Sequence, residues 1–366
     1  MRTTIHLAIA VLLLLSGLRA SPVVSAQGPA SVDYISFQGQ RYTLYAYTGR
    51  SVALLAPRGD LDAATMTAIV AALDRAYDYY AQSTGRAPQP YRLYNGLLSI
   101  AVVAQTCGDG CGYLGATGIE LTDSAFTRLF AGVRDRDEYD QALFYELGRN
   151  FWFYEQQIEY RGADATGTIA TGYAVFMRFA SMEAAGVTIG PFNRWTGAEF
   201  RAEVVAQFGR YTANPRVNWE NTLRVGQPIP DSGGLGSTDL FASFIFELRG
   251  RYGNAFVGRL WTECGRRPTS ATTQDAVDNF VIAASVAAGI NLADTFASWH
   301  WPVSAAARVE LAQLFPAATS THTATATAMA TATSTSTPTS TATATATVTS
   351  TPTTTRREIY LAPMMR

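Results

Sequence analysis

From Ala317 to Thr355 the chain is almost wholly Thr, Ala, Ser and Pro. Such a stretch has almost no large apolar side chain to bury, so nothing offsets the entropy lost in ordering it. Any fold must therefore be complete before it begins. The Thr/Ser density, with Pro338 and Pro352, suits an extended and O-glycosylated stalk; an unmodified spacer fits the same composition. Extended at about 3 Å per residue, it would reach roughly 100 Å. At the other end, Arg2 precedes an apolar run from Leu7 to Leu15, and Val24-Ser25-Ala26 offers a small-x-small cleavage site. The run is too short for a stable membrane anchor and reads as a signal peptide. The expected organisation is a signal peptide over 1–26, one folded domain over 27–316, a disordered stalk over 317–355 and a tail over 356–366.

The folded part is long for one domain and short for two. The net charge of −1 gives no general attraction to nucleic acid, and no membrane-spanning segment is expected once the signal is removed. All 28 basic residues are Arg. Cys107 and Cys111, separated by Gly-Asp-Gly, are expected to close a small disulfide loop in an exported protein. Cys264 is then left over and is expected to be buried. A metal site at the pair is the weaker reading, because no His lies near it.

The order of elements reads as α+β: an N-terminal mixed sheet followed by a helical half. Strands are predicted within Tyr34–Leu55, at Ser99–Ala104 and at Gly118–Thr122. A helix is predicted from Asp62 to about Gln82, with Met66, Ile69, Val70, Leu73 and Tyr77 at helical spacing. Further helices are predicted over Asp137–Gln157, Thr168–Ala185, Thr238–Tyr252, Val277–Gly289 and Leu292–Trp299.

The segment Phe144-Tyr145-Glu146-Leu147-Gly148-Arg149-Asn150 resembles the active-site helix of zincin metallopeptidases, in particular their H-E-L-G-H form. In that family two His at i and i+4 bind zinc, and the Glu polarises the metal-bound water as general base. Glu146-Leu147-Gly148 match, but Tyr145 and Arg149 stand at the two ligand positions. The gluzincin branch takes a third ligand, a Glu, from the next helix; Thr171 in Ala170-Thr171-Gly172 stands there. The resemblance implies a zincin-like fold over roughly residues 50–305, with an edge strand over Tyr113–Thr122 lying above the motif helix. It also makes Tyr145, Glu146, Arg149 and Thr171 the cleft candidates.

Histidine occurs three times, at His6, His300 and His322, so the folded part holds one. A two-His zinc site cannot be built, and the Arg149 guanidinium, always charged, has no lone pair to offer a cation. No metal or other cofactor is expected. The alternative reading is an ordinary amphipathic helix, with Leu143, Leu147 and Phe151 inward and Glu146 paired to Arg149 on the surface. His300 lies between Trp299 and Trp301 and reads as a packed or interfacial residue. Gly233-Gly234-Gly236 lacks the Lys of a phosphate loop and reads as a helix entry. Glu155 with Glu159, or Asp239 with Glu247, are the remaining carboxylate pairs that glycosidase chemistry would require.

Three functional readings follow. The first is a secreted or surface-attached domain that has lost peptidase activity and binds an extracellular peptide or glycan. The second is an extracellular peptidase or glycosidase using non-zinc chemistry, and the third a structural cell-surface domain. An open groove at Glu146 and Arg149 favours the first two. A groove filled by Tyr145 and Arg149 favours the third.

After the stalk the tail regains Ile359, Tyr360, Leu361, Met364 and Met365 between Arg357 and Arg366. It is too short to cross a bilayer and reads as a sorting or attachment signal. Deleting residues 356–366 should raise the released fraction of the protein relative to the cell-associated fraction, measured by immunoblot. The melting temperature of the folded domain should not change.

Overall fold

The structure is a computed structural model that describes residues 28–316. The signal peptide, stalk and tail expectations fall outside the described residues. The first three strands, β1 (Ala30–Ile35), β2 (Arg41–Thr48) and β3 (Val52–Ala56), form an antiparallel meander. Helix α1 (Ala63–Thr84) follows, opened by Asp62, whose carboxylate accepts from the Thr65 amide at 2.8 Å. Its Met66, Ile69, Val70, Leu73 and Tyr80 are buried at helical spacing. The chain then returns through β4 (Leu93–Tyr94) into β5 (Leu97–Val103), which runs parallel to β3. Leu98 to Val103 are all buried, as a strand covered on both faces requires.

Next come β6 (Gly110–Gly112) and β7 (Ile119–Thr122). The sheet order is β1-β2-β3-β5-β7-β6, with β4 attached to β5. Strand β7 is parallel to β5, and β6 is antiparallel to β7. The edge strand is therefore β6, and β7 is interior. This corrects the expectation of an edge strand over Tyr113–Thr122. The Gly-rich composition around Gly110 reads as loop, yet the absence of side chains is what lets this backbone lie flat on the helix beneath it.

Alternation along the sheet divides two cores. Val52, Leu54, Ile100 and Val102 face the main core under the helices. Ala53, Leu55, Ala101 and Val103 form a small cluster on the other face with Tyr34 and Leu44. Glu120 of β7 is fully buried there. It accepts from the Tyr34 hydroxyl at 3.0 Å, the Phe37 amide at 2.6 Å and the Thr106 hydroxyl at 3.1 Å. The turn between β1 and β2 is thereby tied to a strand far along the sheet.

The helical half begins with α2 (Asp123–Arg136), passes the short strand β8 (Glu138–Tyr139) and reaches the motif helix α3 (Ala142–Asn150), then α4 (Glu155–Ile158). The single helix expected over Asp137–Gln157 is broken at Phe151–Tyr154. Phe151, Trp152 and Tyr154 are all buried, and their rings meet Tyr80, Tyr173 and Trp261. A continuous helix would spread four consecutive rings around its circumference and could not bury them together. Helix α5 (Thr168–Ala185) has the expected bounds. Then come β9 (Thr188–Ile189), paired with β8, and α6 (Gly197–Ala213), α7 (Ser237–Tyr252), α8 (Ala255–Arg266), α9 (Thr273–Ala288), α10 (Ala293–Ser298) and α11 (Ala305–Leu314). The chain is α+β, as the sequence indicates.

Helix α5 is the centre of this half and packs on α1, α3 and α7. A β-carbon on Gly148 would stand 3.1 Å from the Ala174 α-carbon, and one on Gly172 would stand 2.7 Å from the Thr238 carbonyl oxygen and 2.8 Å from the Phe241 ring. Gly172 is where α5 and α7 touch backbone to side chain. Substituting Gly172→Ala should lower stability by about 1–3 kcal/mol through overpacking, despite the better helix propensity of Ala. A urea unfolding midpoint that falls with an unchanged m-value is the expected readout.

Candidate functional site

Helix α3 is covered on every side, and each of its residues from Ala142 to Asn150 is buried. Two features pack it so closely. Beneath, Gly148 and Ala174 bring α3 against α5. Above, β6 lies directly on the motif: a β-carbon on Gly110 would stand 2.9 Å from the Glu146 Cγ, and one on Gly112 would stand 2.8 Å from the Glu146 carbonyl oxygen.

Three of the four cleft candidates come together. The Arg149 Nε stands 3.6 Å from a Glu146 carboxylate oxygen and donates to the Gly112 carbonyl at 3.3 Å. The Arg149 guanidinium also hydrogen-bonds the Tyr145 hydroxyl. Thr171 sits in the first turn of α5, half-buried. The helical repeat places it on the stripe that carries Ala174 and Arg178, and that stripe faces Gly148 and Tyr145 of α3. The Glu146–Arg149 spacing of i, i+3 is as expected from the amphipathic alternative, but the pair is in the interior, with side chains 2% and 5% exposed. Tyr145 is likewise 5% exposed, so the groove is filled rather than open.

Burial sets the electrostatics. Loss of water pushes the Glu146 carboxyl up to about 7, with Arg149 and a contact from the Gly112 amide opposing the rise. The Tyr145 hydroxyl is also held above its ordinary value by burial. A second guanidinium, Arg178 of α5, is boxed by rings: it lies 4.9 Å over Phe179, 4.8 Å over Phe200 and 5.7 Å over Tyr145, with Asp239 at 3.9 Å. Arg178 went unread in the sequence, although a single charge inside the apolar run Ala174–Ala180 marks it. Asn150, which donates to the Tyr113 carbonyl at 2.9 Å and the Gly118 carbonyl at 3.3 Å, also went unread.

These side chains do not fit zinc. The positions the zincin resemblance assigns to ligands hold a phenol, a guanidinium and a hydroxyl. Among the described residues no group of three or more His, Cys, Asp or Glu is arranged to hold a metal ion. A cation would also meet two buried guanidinium groups in a poorly solvated space.

The other candidates have structural engagements. Glu159 is buried and accepts from the Ala170 amide at 2.8 Å, capping α5, whose own N-cap Gly167 has no side chain to do so. Glu155 is exposed and accepts from the Trp152 indole at 3.1 Å. Asp239 caps α7 through the Gly236 amide at 2.9 Å, which makes the Gly233–Gly236 stretch a helix entry. Glu247 pairs with Arg251 one turn on, at 2.6 Å. His300 is exposed while Trp299 and Trp301 are buried, so its expectation as a packed residue is corrected. It has φ of 58° and its Nδ1 lies 3.2 Å from the Val217 carbonyl. Cys107 and Cys111 are joined in a disulfide, and Cys264 is a buried free thiol.

No protein-family model matches the chain, and no curated protein matches it. Solved structures similar to it include a conserved protein of unknown function, in mutant form, from Bacillus anthracis str. Ames, at 14% identity and a TM-score of 0.48 over 74% of this chain and 51% of that one. A ZmpB metallopeptidase from Clostridium perfringens follows at 13% identity and 0.46, over 74% and 48%. The M60 catalytic domain of Clostridium perfringens ZmpC, solved with the sialyl T antigen, gives 13% and 0.42, over 74% and 49%. The chain thus spans about half the length of these solved chains. These are distant likenesses.

The capping carboxyl Glu159 gives a pH test. Burial pushes it up to about 7 from an ordinary 4.5. The folded state therefore holds its proton more tightly than the unfolded one, so stability is full below about pH 4.5 and falls as pH rises towards 7. Glu159→Gln keeps the acceptor and removes the charge. The wild type should lose up to about 3 kcal/mol more than this variant between pH 4.5 and 8, measured by urea unfolding at each pH.

Proposed function

We propose that the folded part is a catalytically inactive domain on a zincin-type frame, secreted or displayed at the cell surface, in which the Arg149 guanidinium fills the position a metal takes in active members. The observation that carries this reading is the Glu146–Arg149 pair, closed by Tyr145 and sealed under the edge strand β6. The relative placement of an antiparallel edge strand, a motif helix and a second helix crossing beneath it supports the frame. A positive group held out of water beside Glu146 replaces the attraction between metal and carboxylate, and no nucleophilic water has access to it.

With the groove filled, a structural or display role is better supported than hydrolysis, by zinc or by other means. A peptide or glycan partner would meet the outside of the domain. The surface best suited lies near Tyr91, 57% exposed, with Leu93, Ile35 and the half-buried Phe37 and Arg92 beside it. Arg92 lies over the rings of Tyr91 and Phe37 at 5.7 and 5.9 Å, which makes a flat, partly cationic face for a ring or a sugar. No helix among the described residues is long and apolar enough to cross a membrane.

The test rebuilds what the motif lacks. The wild-type domain should hold no stoichiometric zinc by elemental analysis after dialysis against zinc. The variant combining Tyr145→His, Arg149→His and Thr171→Glu should hold about one zinc per chain, because two His and a Glu on adjacent helices complete a tetrahedral set with water. A triple variant with native circular dichroism and no bound zinc overturns the zincin frame. Tightly held zinc in the wild type overturns the filled site.

A further inference from the structure

Glycine follows an asparagine once in the chain, at Asn95-Gly96, and an aspartate once, at Asp109-Gly110. In either pair the backbone nitrogen of the glycine can attack the side-chain carbonyl carbon of the residue before it, since no β-carbon shields that nitrogen. The fold treats the two pairs differently. Asn95 and Gly96 are the central residues of the hairpin between β4 and β5, where Leu93 faces Leu98 and Tyr94 faces Leu97. Both have positive φ, 48° and 83°, as a type I′ turn requires, and both are exposed. A β-carbon built on Gly96 would meet nothing within 4 Å. Strand β4 has two residues, and the chain before it is held separately: the Tyr91 amide donates to the Thr117 hydroxyl at 2.8 Å and the Arg92 amide to the Thr117 carbonyl at 3.1 Å. The turn can therefore leave its resting conformation by releasing the Tyr94–Leu97 pair alone, with the base of the hairpin in place. Asp109 has no such freedom. Its carboxylate accepts from Arg128 at 2.6 Å and its carbonyl accepts from the Thr122 amide at 2.9 Å. Gly110 is paired with Leu121 and packed on Glu146, where a β-carbon would stand 2.9 Å from Cγ. A carboxylate held by a guanidinium is also a poor electrophile, whereas the Asn95 amide is neutral.

We propose that Asn95 is a self-modification site, converted by Gly96 through a cyclic imide to aspartate and isoaspartate as the folded protein ages. The Gly96 nitrogen loses its proton and bonds to the Asn95 Cγ. The Cγ–Nδ2 bond breaks, and that nitrogen leaves as ammonia with the proton that Gly96 gave up. Water then adds to one of the two ring carbonyls and opens the ring. Addition at Cγ gives aspartate. Addition at the main-chain carbonyl carbon leaves the chain running through Cβ and Cγ, which is isoaspartate. One water is consumed, one ammonia is released, and a neutral amide becomes a carboxylate, so the formal net charge falls by one from −1. Because the ammonia is lost to solvent, the change accumulates in one direction. The isoaspartate form places an additional backbone carbon in a two-residue turn, so the Tyr94–Leu97 pair no longer closes. The damage stays local, since Tyr91 and Arg92 keep their bonds to Thr117.

The experiment ages the full chain at mildly alkaline pH, which speeds loss of the glycine proton, then reduces, alkylates and cuts it with trypsin. No Lys occurs in the chain and no Arg lies between Arg92 and Arg128, so one peptide carries both sites. Fragmentation by electron transfer distinguishes aspartate from isoaspartate at each residue. Isoaspartate at 95 should accumulate at least about tenfold faster than at 109, while circular dichroism stays native and the protein shifts to the acidic side on ion exchange. Asn95→Gln should abolish the acidic shift, because the larger ring closes far more slowly. An Asn95 that stays intact in the folded chain while the urea-unfolded chain converts overturns the proposal, since the turn then protects it. Equal rates at 95 and 109 overturn it as well, and so does an acidic shift that persists in Asn95→Gln.

Discussion

A guanidinium kept out of water governs the middle of this molecule. Arg149 cannot shed its charge, so the surrounding structure has to satisfy it. It does so with one carboxylate, one phenol and one strand carbonyl. Each partner then constrains something else. The carboxylate of Glu146 occupies the volume that side chains at 110 and 112 would need, so the strand above is glycine at both positions. The carbonyl of Gly112 must face the helix, which fixes the register of β6 on β7. Such a buried pair adds little net stability over an apolar core of equal volume, yet removing one partner typically costs about 3–5 kcal/mol. Its effect is thus on which arrangement is allowed more than on how stable it is.

The same logic recurs one helix away. Arg178 is also buried, but its neighbours are mostly ring faces, with one carboxylate at a longer distance. Rings accept a guanidinium without hydrogen-bonding it, and burial here lowers the readiness of Arg178 to hold its proton. The phenol of Tyr145 stands between the two cations, bonded to one and stacked under the other. Together they make a polar column through an otherwise apolar α3–α5 interface. Stability lost as Glu159 ionises at the head of α5 is thus felt beside this column, since the helix it caps carries Arg178.

Much of the architecture was legible from residues alone. Periodicity located α1, α5 and α7 because each has an apolar face wide enough to dominate its composition, and α5 is apolar nearly all round. Helices α2, α6, α8 and α11 were missed: in α2, α6 and α11 the buried positions are few and scattered among charged residues, whereas α8 carries a regular buried stripe of Phe256, Val257, Leu260, Trp261 and Cys264. The motif placed Tyr145, Glu146 and Arg149 on one helix, though a longer one than α3, and the i, i+3 pairing of the last two could be read. Their burial could not be read, because it depends on two glycines some 35 residues earlier, in a stretch whose composition signals a loop. The break after Asn150 was hidden for a related reason. A run of four aromatic residues looks helical until Tyr80, Tyr173 and Trp261 are known to wait on one side of it.

Glu120 has a bearing on how the chain is made. The phenol of Tyr34 and the amide of Phe37 both close on this one carboxylate, 86 and 83 positions further along. The meander β1–β2–β3 can form early from local pairing, but its turn has no buried acceptor until β7 has emerged. A chain synthesised or threaded from its N-terminus therefore carries a half-anchored hairpin for about a third of the folded domain. An interruption of synthesis before Glu120 therefore leaves a hairpin with an unpinned turn, a state open to proteases and to pairing with other chains.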